Sequence, residues 1–307
     1  MMRVTQRVRK ILLHYESDTP GTKANLARIM CHGKLSGTGK MVILPVDQGF
    51  EHGPARSFAP NPAAYDPHYH WQLAVDAGLN AFAAPLGLLE AGADTFAGAV
   101  PTILKVNSSN CLASAKDQAL TGSVNDALRL GCSAIGFTCY PGSDHQFELI
   151  EEIREMAEEA KAAGLAVVIW GYVRGGNISK EGETSIDNIG YAAHMAALLG
   201  AHIIKVKLPD GNVTGKESKY AFDSARIDIS TSDARVREVV RSCFNGRRLV
   251  VFSGGSAKDK DAVYNDAIAI RDGGGNGSII GRNTFQRPRE EALRMLDHIV
   301  AIYKERV

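Results

Sequence analysis

The sequence Gly200-Ala201-His202-Ile203-Ile204-Lys205-Val206-Lys207-Leu208 is an apolar run that carries two lysines. A short apolar run of this kind is typical of a buried strand. In a strand, residues two apart share a face, so Lys205 and Lys207 would both lie on the face of Ile203. Burial lowers the pKa of a lysine from its usual value of about 10.4, because the charged form loses its hydration.

A lysine with a lowered pKa has a neutral amine available, and neutral amines attack carbonyl carbons to form Schiff bases. The lysine pair therefore predicts a nucleophile that acts on a carbonyl substrate. A second interpretation is that both lysines lie at the exposed end of the strand and have no chemical role. The rest of the chain has to decide between the two.

Seven further short apolar runs accompany this strand, and longer stretches with helical patterns separate them. Strands that alternate with helices pair in parallel through right-handed crossovers. Eight such units in about 250 residues predict a (β/α)8 TIM barrel, with an open, doubly wound sheet as the alternative. The predicted strands are residues 41–46, 80–84, 102–106, 134–138, 166–171, 201–208, 249–253 and 278–281. The clearest predicted helices are residues 143–163, 185–199, 233–244, 259–271 and 289–303.

Residues 1–40 precede the first predicted strand, and we interpret them as a short N-terminal helical extension of a barrel domain that spans residues 41–307. The glycines at positions 33, 37 and 39 predict a flexible connector, because their spacing does not match a phosphate-binding P-loop. The longest predicted loop, residues 209–230, follows the two-lysine strand. Loops of this length often serve as lids or binding loops.

The charge composition gives no electrostatic basis for binding nucleic acid or an anionic membrane, because 35 basic residues nearly balance 34 acidic ones. The five cysteines are scattered and form no C-x-x-C pair, as is typical of reduced thiols in a cytoplasm. Residues 1–28 lack the apolar core of a secretory signal, and no apolar run reaches the roughly 18 residues of a membrane span. We expect a soluble, cytoplasmic protein.

The active site of a barrel lies at the carboxyl ends of its strands, and several reactive side chains fall there. Asp47 follows the first strand and is a candidate acid or base, although aspartate at such a position also caps turns. Lys105 ends the third strand. Trp170 and Tyr172 share a face at the end of the fifth strand, where they offer an apolar wall and a phenol that transfers protons. The alternative for this pair is a core tryptophan beside a rim tyrosine.

The last two strands end in glycine turns, Ser253-Gly254-Gly255-Ser256 and Gly281-Arg282-Asn283, and a helix is predicted after each. Glycines at a helix N-terminus expose backbone N–H groups to an anion, and an arginine adds a fork of donors. The pair of turns therefore predicts a phosphate site at the place where barrels commonly hold one. The His68-x-His70 pair does not have metal-ligand spacing, so we expect no metal.

Seven segments of the chain, taken together, resemble the archaeal-type class I fructose-bisphosphate aldolases, and in particular their bacterial branch. They are LPVDQGFEHGPARSFAPNP from residue 44, PTILKVNSSN from 101, IGFTCYPGS from 135, VVIWGYVRGG from 167, GAHIIKVKLP from 200, VFSGGSAKDK from 251 and IIGRNTFQRP from 279. The similarity runs in order from about residue 41 to residue 303. One departure is Gln48, where archaeal members have histidine.

The resemblance implies a barrel enzyme, without metal or cofactor, that reversibly cleaves fructose 1,6-bisphosphate to dihydroxyacetone phosphate and glyceraldehyde 3-phosphate. It implies that the catalytic residues are Lys205, Tyr172 and Asp47. It implies that the substrate is bound by Trp170, Ser253, Gly254, Gly255, Gly281 and Arg282. It also implies a homo-oligomer, from octamer to decamer.

Several points stay open at this stage. The second phosphate has three candidate ligands, Lys105, His52 and Arg174. A like charge at Lys207, on the same strand face, would favour the neutral amine of Lys205. One alternative function is a related Schiff-base aldol transferase or thiolase that acts on another phosphorylated carbonyl compound. Another is a phosphosugar-binding barrel without catalysis, which would have no reason to keep the three catalytic residues together.

Overall fold

Eight parallel strands close into one barrel in the computed structural model, which describes residues 4–254 and 258–305. The strands are β1 (Met41–Pro45), β2 (Ala81–Pro85), β3 (Thr102–Lys105), β4 (Ala134–Cys139), β5 (Ala166–Gly171), β6 (Ile203–Lys207), β7 (Leu249–Ser253) and β8 (Gly277–Ile279). Each strand pairs in parallel with its chain neighbours, and β8 pairs with β1. The predicted (β/α)8 barrel is confirmed, and the open sheet is wrong.

Helices surround the barrel and connect its strands. They are α1 (Gln6–Leu12), α2 (Pro20–Met30), α3 (Gln48–His52), α4 (Pro54–Phe58), α5 (Pro67–Asp76), α6 (Leu86–Glu90), α7 (Val124–Arg129), α8 (Gln146–Ala162), α9 (Ile186–Leu198), α10 (Lys216–Ser224), α11 (Ser232–Ser242), α12 (Lys260–Asp272), α13 (Arg282–Phe285) and α14 (Arg289–Lys304). A 3-10 turn spans Pro62–Tyr65, and a small hairpin pairs Asn107–Ser108 with Ala119–Leu120. The predicted helices are present, with ends that differ by up to three residues.

The segment predicted as a long loop, residues 209–230, contains helix α10. The sequence did not predict this helix because the segment is polar and none of its helical residues is fully buried, although Phe222 packs partly against the core.

The N-terminal helices α1 and α2 close the amino end of the barrel. Val8, Leu26 and Ile29 pack against the side chains that fill the barrel interior. Tyr15 Oη donates a 2.7 Å hydrogen bond to the carbonyl of His202 at the start of β6. The connector after α2, predicted to be flexible, is packed: Leu35 is buried and the residue 37 carbonyl accepts a hydrogen bond from the Thr5 hydroxyl.

Strand β6 has the alternation that the sequence predicts. Ile203 belongs to the apolar cluster inside the barrel, whereas Ile204 and Val206 belong to the cluster between the barrel and its helices. Lys205 is on the inner face and only 3% exposed. The alternative in which both lysines lie at an exposed strand end is therefore wrong.

Candidate active site

A cleft opens at the carboxyl ends of the barrel strands, as expected for this fold. Eight of the predicted site residues line it: Asp47, His52, Tyr172, Lys205, Ser253, Gly254, Gly281 and Arg282. Two others, Trp170 and Lys105, are buried near the cleft without lining it. The remaining one, Gly255, lies outside the described residues.

Lys205 lines this cleft, with Trp170 as its register partner on β5. Its Nζ is 5.0 Å from the centroid of the Trp170 ring and 5.3 Å from that of Tyr172. Within residues 4–254 and 258–305, no side chain or carbonyl accepts a hydrogen bond from it and no carboxylate is paired with it. The amine is therefore held by two aromatic rings and stays available to a ligand.

The other two lysines nearby have polar partners. Lys207 Nζ is 2.9 Å from Glu183 Oε2, and although burial lowers the pKa of Lys207, the carboxylate partly offsets this. Lys105 Nζ donates to the carbonyl of Asn107 and, at 3.1 Å, to its Oδ1. Burial lowers the pKa of Lys105 to about 8, an effect that Asp47 and Glu51 oppose.

Trp170 occupies the barrel interior beneath the cleft and is only 1% exposed. Gly136 on β4 has no side chain there, and a Cβ at this position would overlap the indole. Lys105 Nζ lies 5.9 Å from the Trp170 centroid, so the indole is close to two lysine amines. The Trp170 Nε1–H has no hydrogen-bond acceptor within the described part of the chain.

Tyr172 follows β5 and faces the cleft. Its hydroxyl is 3.4 Å from the Ser253 hydroxyl on β7. The Arg174 guanidinium stacks near the same phenol, with its Cζ 5.4 Å from the ring centroid. The phenol is thus positioned between Lys205 and the end of β7, as a proton-transferring group would need to be.

Asp47 is buried at the end of β1, and its carbonyl accepts the N–H of Glu51 as the short helix α3 begins. Glu51 is four residues further on, so the two carboxyls lie on one side of a helical turn. Burial and the nearby Asp47 carboxylate raise the pKa of Glu51, while Lys105, Arg174 and Lys205 oppose the rise.

The predicted phosphate turns lie side by side at the ends of β7 and β8. Asn283 Oδ1 accepts a 2.7 Å hydrogen bond from the Lys258 N–H, which connects the two turns. Helix α13 begins at Arg282, directly after Gly281, and α14 follows at Arg289. Gly254, Gly281 and Arg282 all face the cleft, so a phosphate there would meet backbone N–H groups and a guanidinium.

Sequence reasoning missed three residues of this region. Gly136 creates the space for Trp170, Glu183 pairs with Lys207, and Glu51 adds a second carboxyl to the cleft. The i, i+4 spacing of Asp47 and Glu51 was a usable signal. Neither Gly136 nor Glu183 carries a local signal, because each acts on a residue from a different strand.

No cluster of three or more histidine, cysteine or acidic side chains suited to a metal exists in the parts of the chain that the structure describes. His68 Nε2 is bonded to the Ala91 carbonyl and His70 Nε2 to that of Ala64, so the two histidines do not converge. Among the described helices, none has the length and apolar character needed to cross a bilayer.

Comparison with known proteins gives a consistent result. The profile of the DeoC/LacD family aldolases matches residues 41–287. The chain belongs to this family. A relative from Chlamydia muridarum, called probable fructose-bisphosphate aldolase class 1, is 35% identical over 292 residues, which cover 91% of this chain and 83% of the relative. The fructose-bisphosphate aldolase class 1 of Halobacterium salinarum is 35% identical over 273 residues, which cover 88% of this chain and 93% of that relative.

Solved structures similar to this chain include that of an archaeal fructose-1,6-bisphosphate aldolase, in which the catalytic Lys is covalently bound to the carbinolamine intermediate of the substrate. It is 30% identical, has a TM-score of 0.73, and covers 86% of this chain and 94% of its own. The resemblance to class I aldolases that the sequence motifs indicated is thereby confirmed.

Proposed function

We propose that this chain is a class I fructose-1,6-bisphosphate aldolase, a metal-independent lyase of glycolysis and gluconeogenesis that works through a Schiff base on Lys205. The environment of Lys205 carries the proposal. Of the three lysines that the barrel strands carry, Lys105 and Lys207 have polar partners, while Lys205 lines the cleft against two aromatic rings. An amine in such surroundings is suited to attack a carbonyl.

The proposed reaction begins when the Lys205 amine attacks C2 of the open-chain ketose. The carbinolamine then loses water to give an iminium. Loss of the proton from the C4 hydroxyl makes C4 a carbonyl and breaks the C3–C4 bond, and the electron pair of that bond moves to the iminium, which becomes an enamine. Glyceraldehyde 3-phosphate leaves, the enamine is protonated at C3, and hydrolysis releases dihydroxyacetone phosphate.

We assign the proton at C3 to Tyr172 and the support of carbinolamine formation and dehydration to Asp47, as the resemblance implies. The 3.4 Å approach of Tyr172 Oη to Ser253 Oγ supports this, because it holds the phenol on the cleft side of β5. Trp170 would form the apolar floor that keeps water from the iminium.

The two substrate phosphates would lie on opposite sides of Lys205. The first is assigned to Ser253, Gly254, Gly255, Gly281 and Arg282. The second is assigned to a neighbouring depression, the distal recess, lined by residues that include Ser109, Lys116 and Tyr140 together with Glu51, His52 and Arg174. Lys105 is bonded to Asn107 and lines neither depression, so we do not assign it a phosphate.

We also propose a cytoplasmic homo-oligomer, octamer to decamer. Exposed aromatic and aliphatic side chains such as Tyr191, Leu198 and Tyr220 support assembly, because large apolar groups on a surface often mark protein contacts. Analytical ultracentrifugation of the purified protein tests this, and a monomer would contradict it.

Borohydride trapping after EDTA treatment tests the proposed chemistry. Wild type and the matched variants Lys205→Met, Lys207→Met and Lys105→Met are each incubated with fructose 1,6-bisphosphate, reduced, and mapped by peptide mass spectrometry. We expect one adduct, on Lys205, which only the first variant lacks. The two other variants control for the loss of a nearby positive charge.

Three other outcomes would contradict the proposal in different ways. An adduct on Lys207 would change the nucleophile and keep the mechanism. Trapping with another phosphorylated carbonyl compound, but not with fructose 1,6-bisphosphate, would favour the related transferase or thiolase. No adduct with any such compound would favour a phosphosugar-binding barrel without catalysis.

A further inference from the structure

Glu51 is a carboxyl of the cleft to which neither the sequence motifs nor the mechanism above gives a role. It is carried on helix α3, and its side chain is only 14% exposed. Within the described residues its carboxylate accepts no hydrogen bond, and its ion-pair partner His52 has Nε2 3.6 Å away, beyond hydrogen-bond distance. Because Glu51 lines the open cleft, a ligand bound there can reach its carboxylate.

The position of Glu51 is defined by the two depressions of the barrel mouth. Glu51, His52 and Arg174 line both the central cleft that contains Lys205 and the distal recess. The predicted phosphate turns, with Gly254, Gly281 and Arg282, line the cleft and do not line the distal recess. Glu51 is therefore at the boundary that a ligand crosses on its way from Lys205 to the distal recess.

A bound ketose bisphosphate would place its atoms along this path in a fixed order. With its first phosphate on the glycine turns and C2 on Lys205, C3 to C6 must continue toward the distal recess. The boundary then lies at C3 and C4, one or two bonds beyond the Schiff base. Of the three boundary residues, Arg174 is a permanent cation and only Glu51 is a carboxyl.

We propose that Glu51 is the base that accepts the proton of the C4 hydroxyl when the C3–C4 bond breaks. In this step the O–H bond of C4 breaks and its proton moves to the Glu51 carboxylate. The C4–O bond becomes a carbonyl, and the electrons of the C3–C4 bond move to the iminium on Lys205. The inference rests on the proposed aldolase function. It assigns to Glu51 the one proton transfer for which the resemblance leaves Tyr172 and Asp47 as alternatives.

The charges around Glu51 suit this task. The ionisable groups that act on it are Asp47 and His52 on its own segment, Lys105 on β3, Tyr140 after β4, Arg174 after β5 and Lys205 on β6. Burial and Asp47 raise its pKa, and a base whose pKa is closer to the working pH accepts a proton more readily than an ordinary glutamate. The iminium on Lys205 carries a positive charge and so favours the ionised Glu51 carboxylate at the moment when it has to accept the proton.

The test separates C3–C4 cleavage from the steps that do not involve C4. Glu51→Gln is compared with wild type in three assays: cleavage of fructose 1,6-bisphosphate, borohydride trapping with dihydroxyacetone phosphate, and exchange of the C3 proton of dihydroxyacetone phosphate with deuterated water. We expect kcat for cleavage to fall by about 100-fold or more, while trapping and exchange stay within a factor of about three.

Glu51→Asp and His52→Gln are the matched variants. Glu51→Asp keeps a carboxyl that is one methylene further from the substrate, so we expect intermediate cleavage activity that still declines at acidic pH. In Glu51→Gln the residual activity should no longer show this decline. His52→Gln lies on the same boundary without being the base, so its KM should rise more than its kcat falls.

Two results would overturn the assignment. Cleavage by Glu51→Gln at nearly the wild-type rate would show that another group accepts the proton. Equal loss of cleavage, trapping and exchange in Glu51→Gln would mean that Glu51 acts before the bond-breaking step or supports the fold. If Glu51→Gln does not fold, equal loss of the three activities in Glu51→Asp leads to the same conclusion. Failure of the aldolase proposal itself looks different, because wild type would then neither trap nor cleave fructose 1,6-bisphosphate.

Discussion

Trp170 and Gly136 are neighbours inside the barrel, and the indole fills the space that a side chain at Gly136 would take. The two residues lie on the adjacent strands β4 and β5. Because the indole is also the surface against which Lys205 Nζ lies, the missing side chain at Gly136 determines where the amine is held.

Gly136→Ala should therefore displace Trp170 and disturb Lys205. Overpacking of a buried site costs about 1–3 kcal/mol, so we expect a lower free energy of unfolding by that amount and slower trapping of Lys205. Denaturant unfolding followed by tryptophan fluorescence, with trapping rates, measures both effects. Gly87→Ala is the control, because a Cβ at Gly87 meets nothing within 4 Å. Equal effects of both substitutions would contradict the packing argument.

The ion pair between Lys207 and Glu183 changes how Lys207 acts on Lys205. The sequence suggested that Lys207 favours the neutral amine of Lys205 by repulsion, but the Glu183 carboxylate 2.9 Å away compensates much of its charge. Lys207→Met should thus shift the pH profile of trapping only slightly. Glu183→Gln leaves Lys207 uncompensated, and the added repulsion should extend trapping to lower pH. A larger shift in Lys207→Met than in Glu183→Gln would show that the pair is not formed in solution.

The buried, neutral ring of His202 predicts a loss of stability in acid. His202 Nε2 is 2.9 Å from Asp18 Oδ2, and His202 Nδ1 accepts the N–H of Val167, so the ring is neutral. Burial lowers the pKa of His202 below its ordinary 6.5, and Asp18 only partly offsets this. Below pH 6.5 the unfolded chain therefore binds a proton that the folded chain does not.

One such proton lowers the free energy of unfolding by about 1.4 kcal/mol per pH unit until the folded pKa is reached. Denaturant unfolding of wild type between pH 7.5 and pH 5 should show the loss, to which other buried histidines such as His70 also contribute. His202→Gln should be less stable at both pH values and lose less between them. His14→Gln, at an exposed position, should keep the wild-type slope. An unchanged slope in His202→Gln would refute the prediction.

The two glycine turns predict different consequences for the same substitution. At Gly254 a Cβ would meet nothing closer than 3.6 Å, so Gly254→Ala should fold normally. Its methyl group would stand in the cleft where a phosphate approaches the backbone. We therefore expect the KM for fructose 1,6-bisphosphate to rise by about 10-fold or more, which corresponds to a loss of about 1.4 kcal/mol of binding free energy. At Gly281 a Cβ would lie 2.7 Å from the Pro45 carbonyl oxygen, so Gly281→Ala should lower the melting temperature as well.

Melting temperatures and KM values of both variants make the comparison. If Gly254→Ala binds the substrate as wild type does, the assignment of the first phosphate to this turn is wrong. If Gly281→Ala melts like wild type, the strand end has room that the backbone geometry does not indicate.

Much of the fold could be predicted because its signals are local. Each strand is a short apolar run, and the helix after it carries its own apolar stripe, so the alternation is visible without knowledge of the contacts. Helix α10 was missed because its segment is polar overall and none of its side chains is fully buried. The connector at residues 33–39 was wrongly expected to be flexible, because its packing depends on contacts with Thr5 and, through Leu35, with the core around the barrel.

The sequence alone determined the barrel, the shared strand face of Lys205 and Lys207, and the family, since periodicity and motifs are properties of neighbouring residues. The tertiary structure decided which lysine lacks a polar partner, how Gly136 makes room for Trp170, and that Glu51 stands between the cleft and the distal recess. These relationships join residues from different strands and loops. No local pattern encodes them, because closure of the barrel is what brings such residues within contact distance.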